Sequence, residues 1–121
     1  MSGKRKCFLY ATNLTTDSGI SSQPTEVQSH IVSGPNNVTP NSNRELIVET
    51  KGTSGTATGS HVEQTIAMSS GGFITIAISC PFSSSNSYKL VENTTNFEVK
   101  AELESKHGDA KVYLLINYPA K

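Results

Sequence analysis

The chain has 121 residues, ten of them Lys or Arg and ten Asp or Glu, so its formal net charge is zero. A chain of this length buries a hydrophobic core as one domain, here residues 1–121, without disulfide or metal support. The balanced charge excludes a basic face for a nucleic-acid backbone, and no run approaches the roughly 18 apolar residues of a membrane-spanning helix.

Short runs of alternating apolar and polar residues follow one another along the chain, separated by clusters rich in Gly, Pro, Asn and Ser. Such clusters supply the residues that tight turns require. The predicted strands are Lys6–Asn13, Thr25–Val32, Arg44–Thr50, His61–Met68, Phe73–Ser79, Ser87–Glu92, Asn96–Ser105 and Ala110–Tyr118. This spacing predicts an all-β, single-domain antiparallel β-sandwich of about eight strands.

The two cysteines, Cys7 and Cys80, both lie in apolar strand contexts, so we interpret them as buried free thiols rather than a disulfide framework. The apolar stretch Cys7–Ala11 is too short for the apolar region of a signal peptide. The sequence therefore predicts no classical signal, and it leaves open a cytoplasmic location or release by a non-classical route.

The closing part of the chain carries the clearest pattern. Phe97, Val99, Ala101 and Leu103 alternate with charged residues. After a polar turn, Val112, Leu114, Ile116 and Tyr118 alternate in the same way. Because side chains alternate between the two faces of a strand, these runs predict a half-buried antiparallel hairpin.

No arrangement of residues indicates catalysis. There is no G-x-S-x-G turn for a nucleophilic serine, and the histidines lack neighbours at metal-ligand spacing. Glu98, Glu102 and Glu104 share one outward strand face instead of opposing each other across a cleft. The sequence predicts no enzyme, no metal site and no cofactor.

The segment Cys80–Tyr88, CPFSSSNSY, is the candidate binding site. Pro81 removes a ladder donor and predicts the end of the preceding strand. Phe82 then stands among hydroxyl and amide side chains, an arrangement that suits recognition of a polar head group or a sugar. The alternative is that Phe82 folds inward and caps the end of the sandwich.

At these residues the chain resembles the aegerolysin family of small β-sandwich proteins. The resemblance consists of the step Cys80-Pro81-Phe82, the Ser- and Asn-rich stretch after it and two closing strands. A Gly- and Thr-rich element at Gly52–Thr56 and the apolar strand Cys7–Asn13 occupy comparable places. Family members usually carry several tryptophans, whereas this chain has none.

The resemblance implies a peripheral protein that recognises membrane lipids, sphingolipids especially, and that acts in some members with a larger pore-forming partner. Phe82 would then lie at the bilayer interface, and the head group would be bonded by Ser83, Ser84, Asn86 and Tyr88. Two other functions stay open: a carbohydrate-binding lectin, and a non-catalytic structural or interaction module, with self-association among the possibilities.

Overall fold

The structure is a computed structural model that describes residues 5–27, 29–52, 59–81 and 85–120. Within these ranges it contains ten strands: β1 Lys6–Asn13, β2 Gly19–Ser21, β3 Thr25–Val27, β4 Ser29–Ser33, β5 Ser42–Gly52, β6 Ser60–Met68, β7 Phe73–Cys80, β8 Ser87–Asn93, β9 Glu98–Leu103 and β10 Ala110–Asn117. Among the described residues, no helix is long and apolar enough to cross a bilayer.

The strands form two sheets that pack face to face. Sheet A has the order β4-β5-β1-β10-β9, and sheet B has the order β2-β6-β7-β8 with β3 also paired to β6. In sheet A, β1 pairs antiparallel with β5 and parallel with β10. The remaining pairs in the described part of the chain are antiparallel.

The core lies between the sheets and follows directly from the alternation of side chains. In β1, β6 and β10 every second residue is buried, as the period of two requires. The buried apolar set includes Leu9, Val48, Ile66, Ile76 and Leu114. The side chains that alternate with the buried ones point outward. Each sheet therefore has one solvent-facing surface on which a ligand can be bound.

The predicted all-β sandwich is confirmed, with ten strands in place of about eight. The predicted strand Thr25–Val32 is divided between β3 and β4, which pair with different sheets. The structure also adds β2, a short strand that begins at Gly19 and was not among the predicted strands. A Cβ atom at Gly19 would stand 2.6 Å from the side chain of Ile66 and 2.8 Å from that of Met68. Glycine therefore lets this short strand approach β6 closely.

The closing hairpin is confirmed as well. β9 and β10 pair antiparallel, with Leu103 opposite Val112 and Val99 opposite Ile116. The sequence pattern did not reveal the parallel pairing of β10 with β1 on its other side. Alternation specifies which face a strand buries, but it does not specify its neighbour or its direction.

Candidate functional site

The predicted segment Cys80–Tyr88 is only partly described by the structure. Phe82, Ser83 and Ser84 lie outside the described residues, as does most of the Gly- and Thr-rich element at Gly52–Thr56. The predicted roles of Phe82, Ser83 and Ser84 therefore stay predictions.

Asn86 directly precedes β8 and is 6% exposed. Its backbone N–H donates to Lys106 O at 2.7 Å, and its side-chain amide donates to Ser105 O at 3.0 Å and Gly108 O at 3.2 Å. Its side-chain oxygen has no hydrogen-bond partner among the residues that the structure describes. The donors of Asn86 thus fasten the β7–β8 connection to the turn between β9 and β10.

Tyr88 joins the two sheets at one edge of the sandwich. It stands opposite Ile78 in the β7–β8 pair, and its hydroxyl donates to Ala101 O of β9 at 2.9 Å. Because β8 ends sheet B and β9 ends sheet A, this bond links the two edge strands. The ring is still 39% exposed, which leaves part of it available to a ligand.

A cavity of about 230 Å³ opens on the outer face of sheet B beside this segment. Its lining residues come from three neighbouring strands: His61, Ala77, Ser79, Ser87, Tyr88 and Lys89. The strand register explains how they meet. His61 of β6 is opposite Ser79 of β7, which is opposite Ser87 of β8, and Ala77 is opposite Lys89 in the next row.

The polar lining of this cavity consists of groups able to donate hydrogen bonds: an ammonium, an imidazole and hydroxyls. In the described structure, the side chains of His61, Ser79, Ser87 and Lys89 form no hydrogen bond or ion pair. No carboxylate is among the described lining residues. The neighbouring Glu63 of β6 is opposite Ala77, but it does not line the cavity. The cavity therefore favours an anionic or strongly accepting ligand.

The other end of the same sheet face carries exposed apolar side chains. Ile20 of β2 and Phe73 of β7 both stand opposite Ala67 of β6, so all three side chains project from the outer face. Ile20 is 65% exposed and Phe73 is 50% exposed. An exposed apolar group of this kind is typical of a surface that contacts a partner or a membrane.

The outer face of sheet A carries a row of aromatic rings instead. Phe8, Tyr10 and Tyr113 stack in sequence, with ring centroids 6.2 Å and 5.4 Å apart. A cation lies over the ring at each end of the row. The Lys111 ammonium is 5.9 Å from the centroid of the Phe8 ring, and the Arg44 guanidinium carbon is 4.2 Å from the centroid of the Tyr113 ring. These cations engage ring surfaces that a ligand would otherwise stack upon.

Several polar groups of the sheet A face are paired with one another. The Tyr113 hydroxyl donates to the carboxylate of Glu104, and this contact raises the pKa of Tyr113 above its ordinary value. Lys6 and Glu49 form an ion pair at 3.4 Å. Cavities of about 310 Å³ and 230 Å³ flank Tyr113, but Glu102 lines both and opposes the binding of an anion.

The residues that sequence reasoning missed are His61, Ser79 and Lys89. The predicted site was one contiguous segment, whereas the cavity is lined by one residue of β6, two of β7 and three of β8. The available signal was the alternation itself, since it places Ser79, Ser87 and Lys89 on the outward side of neighbouring strands. In the described ranges, no group of three metal-ligating side chains comes together.

No protein-family model matches this sequence, and no curated protein matches it either. Solved structures share the fold. The RahU protein, solved in complex with a TRIS molecule, superposes with a TM-score of 0.76 at 10% identity over 97% of both chains. IP-1A from Alcaligenes faecalis superposes with a TM-score of 0.56 at 12% identity, over 97% of this chain and 91% of that one. At these identities the likeness shows the small β-sandwich fold.

Proposed function

We propose that this protein is an aegerolysin-like peripheral lipid-binding protein that docks on membranes through the outer face of sheet B. The cavity lined by Lys89 and His61 takes the phosphate of a lipid head group, and sphingolipids with a phosphate-bearing head group are the proposed targets. The observation that carries this proposal is the set of unpartnered hydrogen-bond donors around that cavity.

The chemistry of the lining suits a phosphate ester. Phosphate oxygens are strong acceptors that require several donors, and a lysine ammonium supplies three donors together with a positive charge. Ser79 and Ser87 flank the cavity in one row, and Lys89 stands in the adjacent row. Since these side chains have no partners in the described structure, a ligand would not have to displace existing bonds.

The apolar residues on the same face supply the second contact with the bilayer. Phe73 and Ser79 are six positions apart on β7, a separation of roughly 20 Å along an extended strand. A flat membrane surface can reach both ends of this face at once. Ile20 and Phe73 would then enter the interfacial region while the head group occupies the cavity, as in other proteins that lie on membranes.

The resemblance to aegerolysins agrees with this placement. The step Cys80-Pro81-Phe82 directly follows Ser79, a residue of the cavity lining, so the predicted interfacial Phe82 belongs to the connection that leaves the cavity. A larger pore-forming partner is part of the same proposal. Its test is whether this protein permits lysis of sphingolipid vesicles by such a partner.

Vesicle sedimentation tests the cavity directly. The protein is mixed with vesicles of phosphatidylcholine, sphingomyelin and cholesterol, and separately with galactolipid vesicles that contain no phosphate. We expect pelleting with the first set and at least tenfold weaker binding with the second. Lys89→Gln should reduce binding to the phosphate-bearing vesicles by about tenfold, the scale of one charge-assisted hydrogen bond.

The matched control is Lys100→Gln, which removes an exposed lysine from β9 of sheet A. We expect it to bind vesicles as the unchanged protein does. Equal binding by Lys89→Gln and Lys100→Gln would reject the cavity as the head-group site. Binding to a glycan array without any vesicle pelleting would favour the lectin alternative. No binding in either assay would favour a structural module.

A further inference from the structure

The two cysteines meet inside the sandwich, on strands from different sheets. Cys7 of β1 and Cys80 of β7 are both completely buried. The Cys7 thiol donates to Ser60 O at 3.4 Å, and Ser60 stands opposite Cys80 in the β6–β7 pair. Both side chains belong to the buried core cluster between the sheets, and Ser60 lies next to each of them.

The environment makes the two thiols unequal. The neighbouring Cys80, together with burial, raises the pKa of Cys7, whereas the neighbouring Cys7 lowers the pKa of Cys80. The Cys80 thiol donates a hydrogen bond to Gly108 O at 2.8 Å, and this bond is lost when the thiol ionises. The backbone of Ala110 and the positive charge of Arg5 favour the ionised form, whereas burial and the carboxylate of Asp109 oppose it. Cys80 is therefore the more nucleophilic partner, since the thiolate is the reactive species.

We propose that Cys7 and Cys80 form a site of reversible oxidation, in which a hydroperoxide converts the two thiols into a disulfide between the sheets. The Cys80 sulfur attacks the terminal peroxide oxygen, the O–O bond breaks, and an alcohol or water leaves. The resulting Cys80 sulfenic acid is attacked by the Cys7 sulfur, which forms the S–S bond and releases water. Two thiols lose two electrons and two protons, and one peroxide is reduced.

The surroundings of Cys80 tolerate this change. Oxidation removes the S–H group that donates to Gly108 O, but the side-chain amide of Asn86 also donates to that oxygen at 3.2 Å. No buried carbonyl is left unsatisfied there. On the other strand, Ser60 O loses its contact with Cys7, and the Ser60 hydroxyl keeps its bond with Thr50 at 2.6 Å.

The position of the pair gives the oxidation a local consequence. Cys80 is the last residue of β7, directly before the connection that Asn86 fastens to the β9–β10 turn. A bond to β1 would fix this end of sheet B to the centre of sheet A. We expect the disulfide to raise the unfolding midpoint by at least about 5 °C, because it closes a long loop.

The experiment treats the fully reduced, folded protein with hydrogen peroxide and then removes the oxidant with catalase. Remaining thiols are alkylated in guanidinium chloride, and peptides are mapped by mass spectrometry without reduction. We expect alkylatable thiols to fall from two to none and a Cys7–Cys80 linked peptide to appear in monomeric protein. Peptide mapping separates this product from methionine sulfoxide, and dithiothreitol should restore both thiols.

The Cys7→Ala variant distinguishes a working pair from two independent thiols. In this variant Cys80 has no resolving partner, so a sulfenic acid that reacts with dimedone should accumulate. Two results would overturn the proposal: both thiols of the folded protein stay alkylatable under conditions that oxidise the unfolded chain, or the product is a disulfide between two chains. The first result is obtained on unmodified protein, so it does not depend on the variant's folding.

Discussion

The outer faces of the two sheets are built from different interactions. On sheet A, the rings of Phe8, Tyr10 and Tyr113 stack in a row whose ends are covered by cations. On sheet B, Lys89 and the neighbouring hydroxyls surround a cavity without bonding to one another. Sheet A holds more aromatic surface, yet cations cover the ends of its aromatic row and the Tyr113 hydroxyl bonds to Glu104. The comparison teaches that a cavity lined by unpartnered donors, rather than aromatic content, marks the candidate binding face.

The largest expected effect concerns sheet A, where the aromatic row should contribute to stability and not to binding. Tyr10→Ala removes the half-buried central ring, which contacts both Phe8 and Tyr113. We expect a loss of about 2 kcal/mol in the free energy of unfolding, from two aromatic contacts and the buried area of the ring. Chemical denaturation measures this loss. Vesicle binding by the folded variant should be unchanged, and a parallel loss of binding would break the comparison.

A smaller effect is expected on sheet B, where Phe73 should contribute to binding and not to stability. The ring is 50% exposed, so Phe73→Ser removes apolar surface that only a bound membrane would cover. Burying half of a phenylalanine side chain is worth about 1 kcal/mol, which corresponds to roughly fivefold weaker vesicle binding. Val32→Ser, at a similarly exposed residue of β4 in sheet A, is the matched control. Similar losses from both substitutions would show that the membrane contact is not specific to sheet B.

The smallest effect is a change in ionisation on sheet A. Glu104 accepts the hydrogen bond of Tyr113 and raises the pKa of Tyr113 above 10, because the phenolate would lose that bond beside a carboxylate. The unfolded chain loses this proton first, so the contact stabilises the fold below about pH 10 and is lost as pH rises through the folded value. Phenolate absorbance should show one late-titrating tyrosine. Glu104→Gln should bring it back towards its ordinary value, and an unchanged titration curve would contradict the contact.

Much of the fold could be predicted from the sequence, because alternation directly reports which side chains a strand buries. Residues 6–13 were predicted as a strand and are β1, and the closing hairpin was predicted as such. Gln64 shows the limit of that reasoning. It interrupts an apolar face, yet it is fully buried, and its amide donates to Ser22 O and Thr65 O. Ser22 lies 42 positions earlier in the chain, so this bond depends on the tertiary structure and cannot be read from local pattern.

The candidate site was predicted less completely for a related reason. The sequence pointed to Asn86 and Tyr88 as polar groups in a binding loop, and the structure shows both bonded to backbone carbonyls of distant residues. Lys89 directly follows Tyr88, but the local sequence does not mark it as a site residue, because its neighbours His61 and Ser79 lie on other strands. A site assembled across a sheet depends on register, which sequence alone specifies weakly.

The parallel pairing of β1 with β10 also affects the order in which the protein can fold. The Lys6 N–H donates to the carboxylate of Asp109, a residue 103 positions later. β1 can pair with β5 as synthesis proceeds, but its other edge has no partner until β10 emerges. Contacts of such long sequence separation slow folding and leave apolar strand edges exposed meanwhile. The middle of sheet A is therefore completed by the strand that the ribosome releases last among those described.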